Sequence, residues 1–154
     1  MQADANPSSP ETTERQAWMA VLARATSAEL EQRGAALLPG WTRLRGPEVG
    51  LVMLQGRAGG SGQPFNLGEA TVARCTVRTD AGRVGHAYAL GRNLRQAELA
   101  AALDAALQDP NLHDAVQEAV IRPLAASQAA ARAETARRAA ATQVQFFTMA
   151  TMRS

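Results

Sequence analysis

Clustered backbone N–H groups and arginine forks are the two commonest ways a protein holds a phosphate group, and one stretch of this sequence offers both. Gly56-Arg57-Ala58-Gly59-Gly60-Ser61-Gly62 lies between the apolar run Val49–Gln55 and a second, alternating run, Glu69–Arg78. Gly59, Gly60 and Gly62 would let the backbone close around an anion, and Arg57 beside them could pair with it. Glu69 is the carboxylate of the segment and Arg74 follows on the next strand, which completes the set of candidate substrate-binding residues. The spacing matches no named phosphate motif: no G-K-[ST] follows the glycines, and they open onto Pro64-Phe65 and another strand instead of a helix. On the residues alone, a flexible inter-strand loop is the simpler reading. A stand-alone enzyme acting on a phosphate ligand is the alternative.

Other chemistry is sparse. His86 and His113 are the two histidines, and neither has a second His, Cys or carboxylate at metal-ligand spacing, so no metal site is expected. His86 reads as a packed sheet residue and His113 as a solvated one near a helix start. Cys75, the single cysteine, excludes an internal disulfide and falls mid-strand, where a buried, inert thiol is expected. Tyr88 is the one tyrosine and no aromatic-basic interleaving occurs, which argues against nucleic acid.

The elements that must position these residues come from a chain of 154 residues, the size of one domain. Its 46% apolar content overstates the core, because 34 of those residues are alanine and Ile121 is the one isoleucine. Stabilisation follows buried apolar area at about 25 cal/mol per Å², so the core is thin and a partner chain covering some surface is expected. All 16 basic residues are arginine and the net charge is +2, unevenly laid out. Residues 49–93 and 122–154 each hold five arginines, whereas 94–121 holds one arginine against five acids. Met1 to Thr13 carries no apolar run and no basic start, and no apolar stretch approaches the ~20 residues of a membrane helix. A soluble cytoplasmic protein is expected.

An α+β domain with a mainly antiparallel sheet of about four strands is predicted. Residues 1–11 form a polar tail, 12–142 the domain, and 143–154 a docking tail. Thr13 to Gln16 and Thr26 to Glu29 have capping-box spacing and open two N-terminal helices, the first with Trp18, Val21, Leu22 and Ala25 on one stripe, the second with Leu30, Gly34, Leu37 and Leu38 inward. Trp41–Arg45 and Val49–Gln55 read as separate strands broken at Gly46-Pro47. The second is apolar on both faces, the pattern of a strand covered on both sides. The loop runs from Gly56 to Gly68, followed by strands Glu69–Arg78 and Arg83–Leu90 joined by a turn with Gly82 left-handed. A bulge there puts Arg74 alongside His86 and Tyr88, whereas a slip of one would put Cys75 there; the bulge is preferred because it leaves Ala73, Cys75, Ala87 and Ala89 as a smooth face for a helix. Asn93 caps a helix whose buried stripe is Leu99, Ala102, Leu103, Ala106 and Leu107. After a further helix, Pro123 starts or kinks a long alanine-rich arm of roughly 19 residues, ~28 Å. The last stretch, Gln143 to Met149, is short, apolar and strand-like, and is expected to dock either back on the sheet or on a partner. Val144, Phe146, Phe147 and Met149 are expected to dock, because Phe147 beside Phe146 would be an aggregation liability if exposed.

Four stretches in this order and spacing resemble the PhnG family: R-Q-A-W-M-A-V-L-A (15–23), E-V-G-L-V-M-L-Q-G-R-A-G-G-S-G-Q-P-F-N-L-G-E-A-T-V-A-R-C-T-V-R (48–78), G-H-A-Y-A-L-G-R (85–92) and V-Q-F-F-T-M (144–149). The resemblance implies a subunit of the carbon–phosphorus lyase core complex, with PhnH, PhnI and PhnJ as partner subunits and a second copy of itself in a two-fold assembly. It implies a share in moving the ribose triphosphate of ATP onto a phosphonate such as methylphosphonate, with release of adenine. ATP is then a substrate of the complex, and this chain binds no cofactor alone. The resemblance carries over no catalytic residue, and the nucleosidase chemistry is usually placed on PhnI. Family members often have an aromatic where His86 stands and Asp where Gln145 stands, so neither position inherits a role. A purely structural assembly subunit is a further alternative.

Overall fold

The computed structural model of the chain describes residues 10–59 and 62–142. Helix α1 (Pro10–Leu22) and helix α2 (Ser27–Gly34), with a short 3-10 turn after it, lead into a three-stranded antiparallel sheet of order β1-β2-β3. The strands are β1 (Trp41–Arg57), β2 (Pro64–Thr79) and β3 (Val84–Leu90). Helix α3 (Leu94–Leu107) crosses back over one face of the sheet, and α4 (His113–Val116) continues through a π turn, Gln117–Ile121, into α5 (Arg122–Ala141).

Among the described residues the sheet has three strands where about four are predicted. Gly46-Pro47 does not break the first one. Gly46 takes a left-handed φ of 72° ahead of a cis peptide bond, and the ladder with β2 absorbs the irregularity as register shifts at Arg43/Arg45 and Arg45/Glu48. The two expected strands are thus one bulged strand. Pairing also runs further into the glycine loop than predicted, through Gln55↔Asn66, Gly56↔Phe65 and Arg57↔Pro64.

The turn at Thr79–Gly82 forms as expected, with Gly82 at φ 80° and its N–H on the Thr79 carbonyl at 2.8 Å. The resulting register pairs Arg74 with Tyr88, Thr76 with His86 and Cys75 with Ala87. Ala73, Cys75, Val77, Ala87 and Ala89 are therefore buried together on the face that α3 covers. Small side chains let helix and sheet approach closely: a Cβ added at Gly85 would overlap the Ala101 carbonyl.

α3 is more central than its sequence stripe suggests. Ala97 through Leu107 are buried on every side, because the sheet packs on one face while α1, α2 and α4 pack on others. The core is accordingly alanine-rich around α3, completed by Trp18, Leu22, Leu30, Val116, Val120 and Leu124.

The caps carry the local logic. Thr26 Oγ1 accepts from the Glu29 N–H while the Glu29 carboxylate accepts from the Thr26 N–H, a reciprocal box. Those bonds hold the Glu29 carboxyl below its usual range. Asn93 caps α3 through the Gln96 N–H, but the Gln96 side chain turns to the Ala23 and Ala25 carbonyls instead of closing a box. Thr13 to Gln16 is not a helix start, because α1 already includes Pro10 to Thr12. Pro123 stands in the first turn of α5, where a helix start is expected. The preceding π turn, in which the Arg122 N–H reaches back to the Gln117 carbonyl, makes room for the ring.

Candidate functional site

The candidate binding residues do not converge. Arg57, Gly59 and Gly62 sit at the end of a two-stranded ribbon, beyond the part of β2 that β3 covers. Gly59 takes a left-handed φ of 61°, the Gly62 N–H closes on the Ala58 carbonyl at 3.1 Å, and Arg57 Nη1 folds onto the Gly62 carbonyl at 3.4 Å. This arginine is turned onto its own loop. Gly60 lies outside the described residues.

Glu69 is exposed opposite Met53, and Arg74 pairs with Glu48. From Pro64, the partner of Arg57, ten residues of strand separate the tip from Arg74, about 33 Å. Glu69 and Arg74 also differ by an odd number, so they point to opposite faces. No single small ligand can touch Arg57, Glu69 and Arg74.

The structure instead gathers three charged centres. On the bare face of the sheet, Glu48 accepts from Arg45 Nε and Arg74 Nε, both at 2.8 Å. Arg45 and then Arg74 hold the Glu48 carboxyl below its usual range. Next to this triad Tyr88 stands opposite Arg74, and Thr76 Oγ1 lies 3.1 Å from His86 Nδ1. His86 is exposed here, not packed, because even-numbered residues of β3 face away from α3.

The second centre is Glu98 on α3. Arg43 donates to both its oxygens at 2.7 and 2.9 Å, and Trp41 Nε1 donates at 3.2 Å. Arg43, ahead of the opposing desolvation, lowers the Glu98 carboxyl. The neighbouring Cys75 thiol is pushed up, first by burial and then by Glu98, which fits an inert sulfur.

The third centre is Asp104, fully buried on α3. Arg15 donates at 3.1 and 2.7 Å, Trp18 Nε1 at 2.9 Å and the His86 backbone N–H at 2.9 Å. His113 stands against Trp18, with ring centroids 5.7 Å apart and nearly perpendicular planes. Its Nδ1–H donates to the Leu107 carbonyl at 2.7 Å, so His113 is a packed residue and not the solvated one expected. A polar cleft of about 500 Å³ opens beside this centre between Arg15, Arg83, Gln108 and His113. Arg15 is already compensated there by Asp104, and Glu14 stands 3.6 Å from His113 Nε2.

Sequence reasoning missed Glu98 and Asp104 because both fall inside an apparently amphipathic helix. The usable signal was a carboxylate within an alanine run, where a solvated face and a satisfied core acid look alike.

The largest unsatisfied feature is apolar. Val49, Leu51 and Met53 lie on the α3 side of β1 but beyond the reach of α3, and Leu51 and Met53 are 60% and 55% exposed. Leu54, Phe65 and Leu67 are exposed around the same ribbon. The pattern predicts a strand covered on both faces, but among the described residues the Val49–Met53 part of β1 is covered on neither, and β1 is an edge strand of the described sheet. Among the described residues no group of three or more His, Cys, Asp or Glu is placed to hold a metal, and no described helix is long and apolar enough to cross a membrane.

Comparison with known proteins agrees with the residue pattern. The family described as phosphonate metabolism protein PhnG matches residues 13–152. A protein of Rhizobium meliloti (strain 1021), named alpha-D-ribose 1-methylphosphonate 5-triphosphate synthase subunit PhnG, is 47% identical over 138 residues, covering 88% of each chain. The chain belongs to the PhnG family of phosphonate metabolism proteins.

Proposed function

We propose that this chain is the PhnG subunit of an alpha-D-ribose 1-methylphosphonate 5-triphosphate synthase. Within the complex it serves the transfer of the ribose triphosphate of ATP to methylphosphonate with release of adenine. The observation that carries this reading is the near full-length likeness to the Rhizobium meliloti subunit, 47% identical over 88% of both chains. The geometry supports a subunit over a stand-alone enzyme. The polar candidates are dispersed, with Arg57 turned onto Gly62 and Arg74 onto Glu48, whereas the β1–β2 ribbon offers apolar side chains on both faces. A stable protein-protein interface buries roughly 800 Å² per partner, and such a ribbon fits a cleft that closes on it from two sides.

In this reading the partners are PhnH, PhnI and PhnJ, the location is cytoplasmic, and the chain brings no cofactor of its own. Its role is to complete and orient the assembly. The test is direct. The tagged chain should copurify with those subunits, and the complex given ATP and methylphosphonate should release adenine. The lone chain should release none, and adenine from the lone chain would favour the stand-alone phosphate-ligand enzyme.

A further inference from the structure

Half of the outer edge of β3 is finished by side chains and half is left open. The His86 N–H points away from β2, because it donates to Asp104 Oδ2 at 2.9 Å. The Val84 carbonyl points the same way, accepting from Arg15 Nη2 at 3.3 Å and Gln108 Nε2 at 2.8 Å. Asp104, Arg15 and Gln108 thus take the place of a fourth strand. At the other end the Gly91 N–H turns inward to the Thr71 carbonyl, at 2.9 Å. The alternation of an antiparallel ladder then puts the His86 carbonyl, both backbone groups of Tyr88 and the Leu90 N–H on the outer edge. Among the described residues, no side chain or loop is bonded to these groups. Alongside them an apolar groove of about 220 Å³ lies between β3 and α1, lined by Met19, Ala20, Ala23, His86 and Tyr88. On the bare face, Leu90 and Tyr88 are 74% and 50% exposed.

We propose that the β3 edge from His86 to Leu90 is the docking site for the segment Val144–Met149 of a second copy of this chain, which adds there as an antiparallel or parallel fourth strand. The fit is chemical on three counts. V-Q-F-F-T-M has the composition of a strand and supplies the backbone partners that the open edge lacks. In a strand its adjacent Phe146 and Phe147 fall on opposite faces, one toward the groove against α1 and the other toward Tyr88 and Leu90. Both apolar surfaces of the edge are therefore covered by one dipeptide.

The segment comes from a second copy because of where α5 goes. Gln128 Nε2 still touches the body, donating to the Val21 carbonyl at 3.0 Å. From Ala129 to Ala141 every residue but Glu134 is exposed, and the helix runs on for about 20 Å. A chain returning to its own groove would spend about six residues at ~3.3 Å each to cover that distance. It would use up residues 142–147, the phenylalanines included, before arriving. Exchange between two copies needs no return and closes by two-fold symmetry.

This inference does not depend on the synthase reading. It is tested by cysteine pairing in the full-length chain, in a Cys75→Ala background, with co-expressed partner subunits left in place. One copy carries Ala20→Cys and a differently tagged copy carries Phe146→Cys. A disulfide joining the two tags is the expected result. Its absence overturns the proposal, and so does a disulfide that forms within one chain when both substitutions share it. Removing residues 143–154 should weaken association of the two tagged copies at least tenfold; unchanged association would also overturn it.

Discussion

Asp104 receives the backbone N–H of His86 at 2.9 Å, so a side chain of the central helix does for β3 what the carbonyl of a neighbouring strand would do. The same carboxylate takes Arg15 and Trp18, which ties α1, α3 and the sheet together at one buried atom pair. Removing it leaves a part-buried guanidinium, an indole N–H and a strand N–H without their acceptor.

Asp104→Ala should therefore cost about 3 kcal/mol of folding stability, measured by urea denaturation. Glu134→Ala, on the exposed arm, should stay within about 0.5 kcal/mol. Equal effects would deny Asp104 its place in the core.

Acid should loosen the contact between β1 and α3. The Glu98 carboxyl is held below its usual range by Arg43, so its folded pKa lies under its unfolded one. Its stabilisation is present above the unfolded value, near ~4.3, and is lost as pH falls through the folded value. Thermal melts of the wild type should fall more steeply below that pH than melts of Glu98→Gln, which is expected to start lower and change less.

Gly85→Ala should destabilise by about 3 kcal/mol, because the added methyl meets the Ala101 carbonyl and the Ala105 backbone where α3 lies on β3. Gly59→Ala has open space around it and pays only for its positive φ, about 1 kcal/mol. Denaturation midpoints of the two variants separate a packing glycine from a turn glycine.

Leu51→Glu with Met53→Glu should leave the stability of the isolated chain within about 0.5 kcal/mol, since both side chains are already wet. The same pair should reduce copurification of partner subunits at least tenfold. Retained assembly would remove the ribbon from the interface.

Arg57→Ala should leave adenine release by the assembled complex within about twofold, as its guanidinium reaches only the Gly62 carbonyl among the described residues. A hundredfold loss would restore the loop as a substrate site.

The sequence alone determined what depends on near neighbours. The Thr26–Glu29 box, the Asn93 cap, the Gly82 turn and the face shared by Ala73, Cys75, Ala87 and Ala89 follow from local spacing and strand alternation. The family was also legible, since motif order and spacing survive without coordinates. Only the tertiary structure decided which charges are buried and which apolar residues are not. Glu98 and Asp104 are core residues because Arg43, Trp41, Arg15 and Trp18 reach them from 55 to 89 positions away. Val49, Leu51 and Met53 carry a buried pattern, yet α3 is too short to cover them. Periodicity states that a face is apolar. Which surface covers it depends on distances that local spacing does not encode.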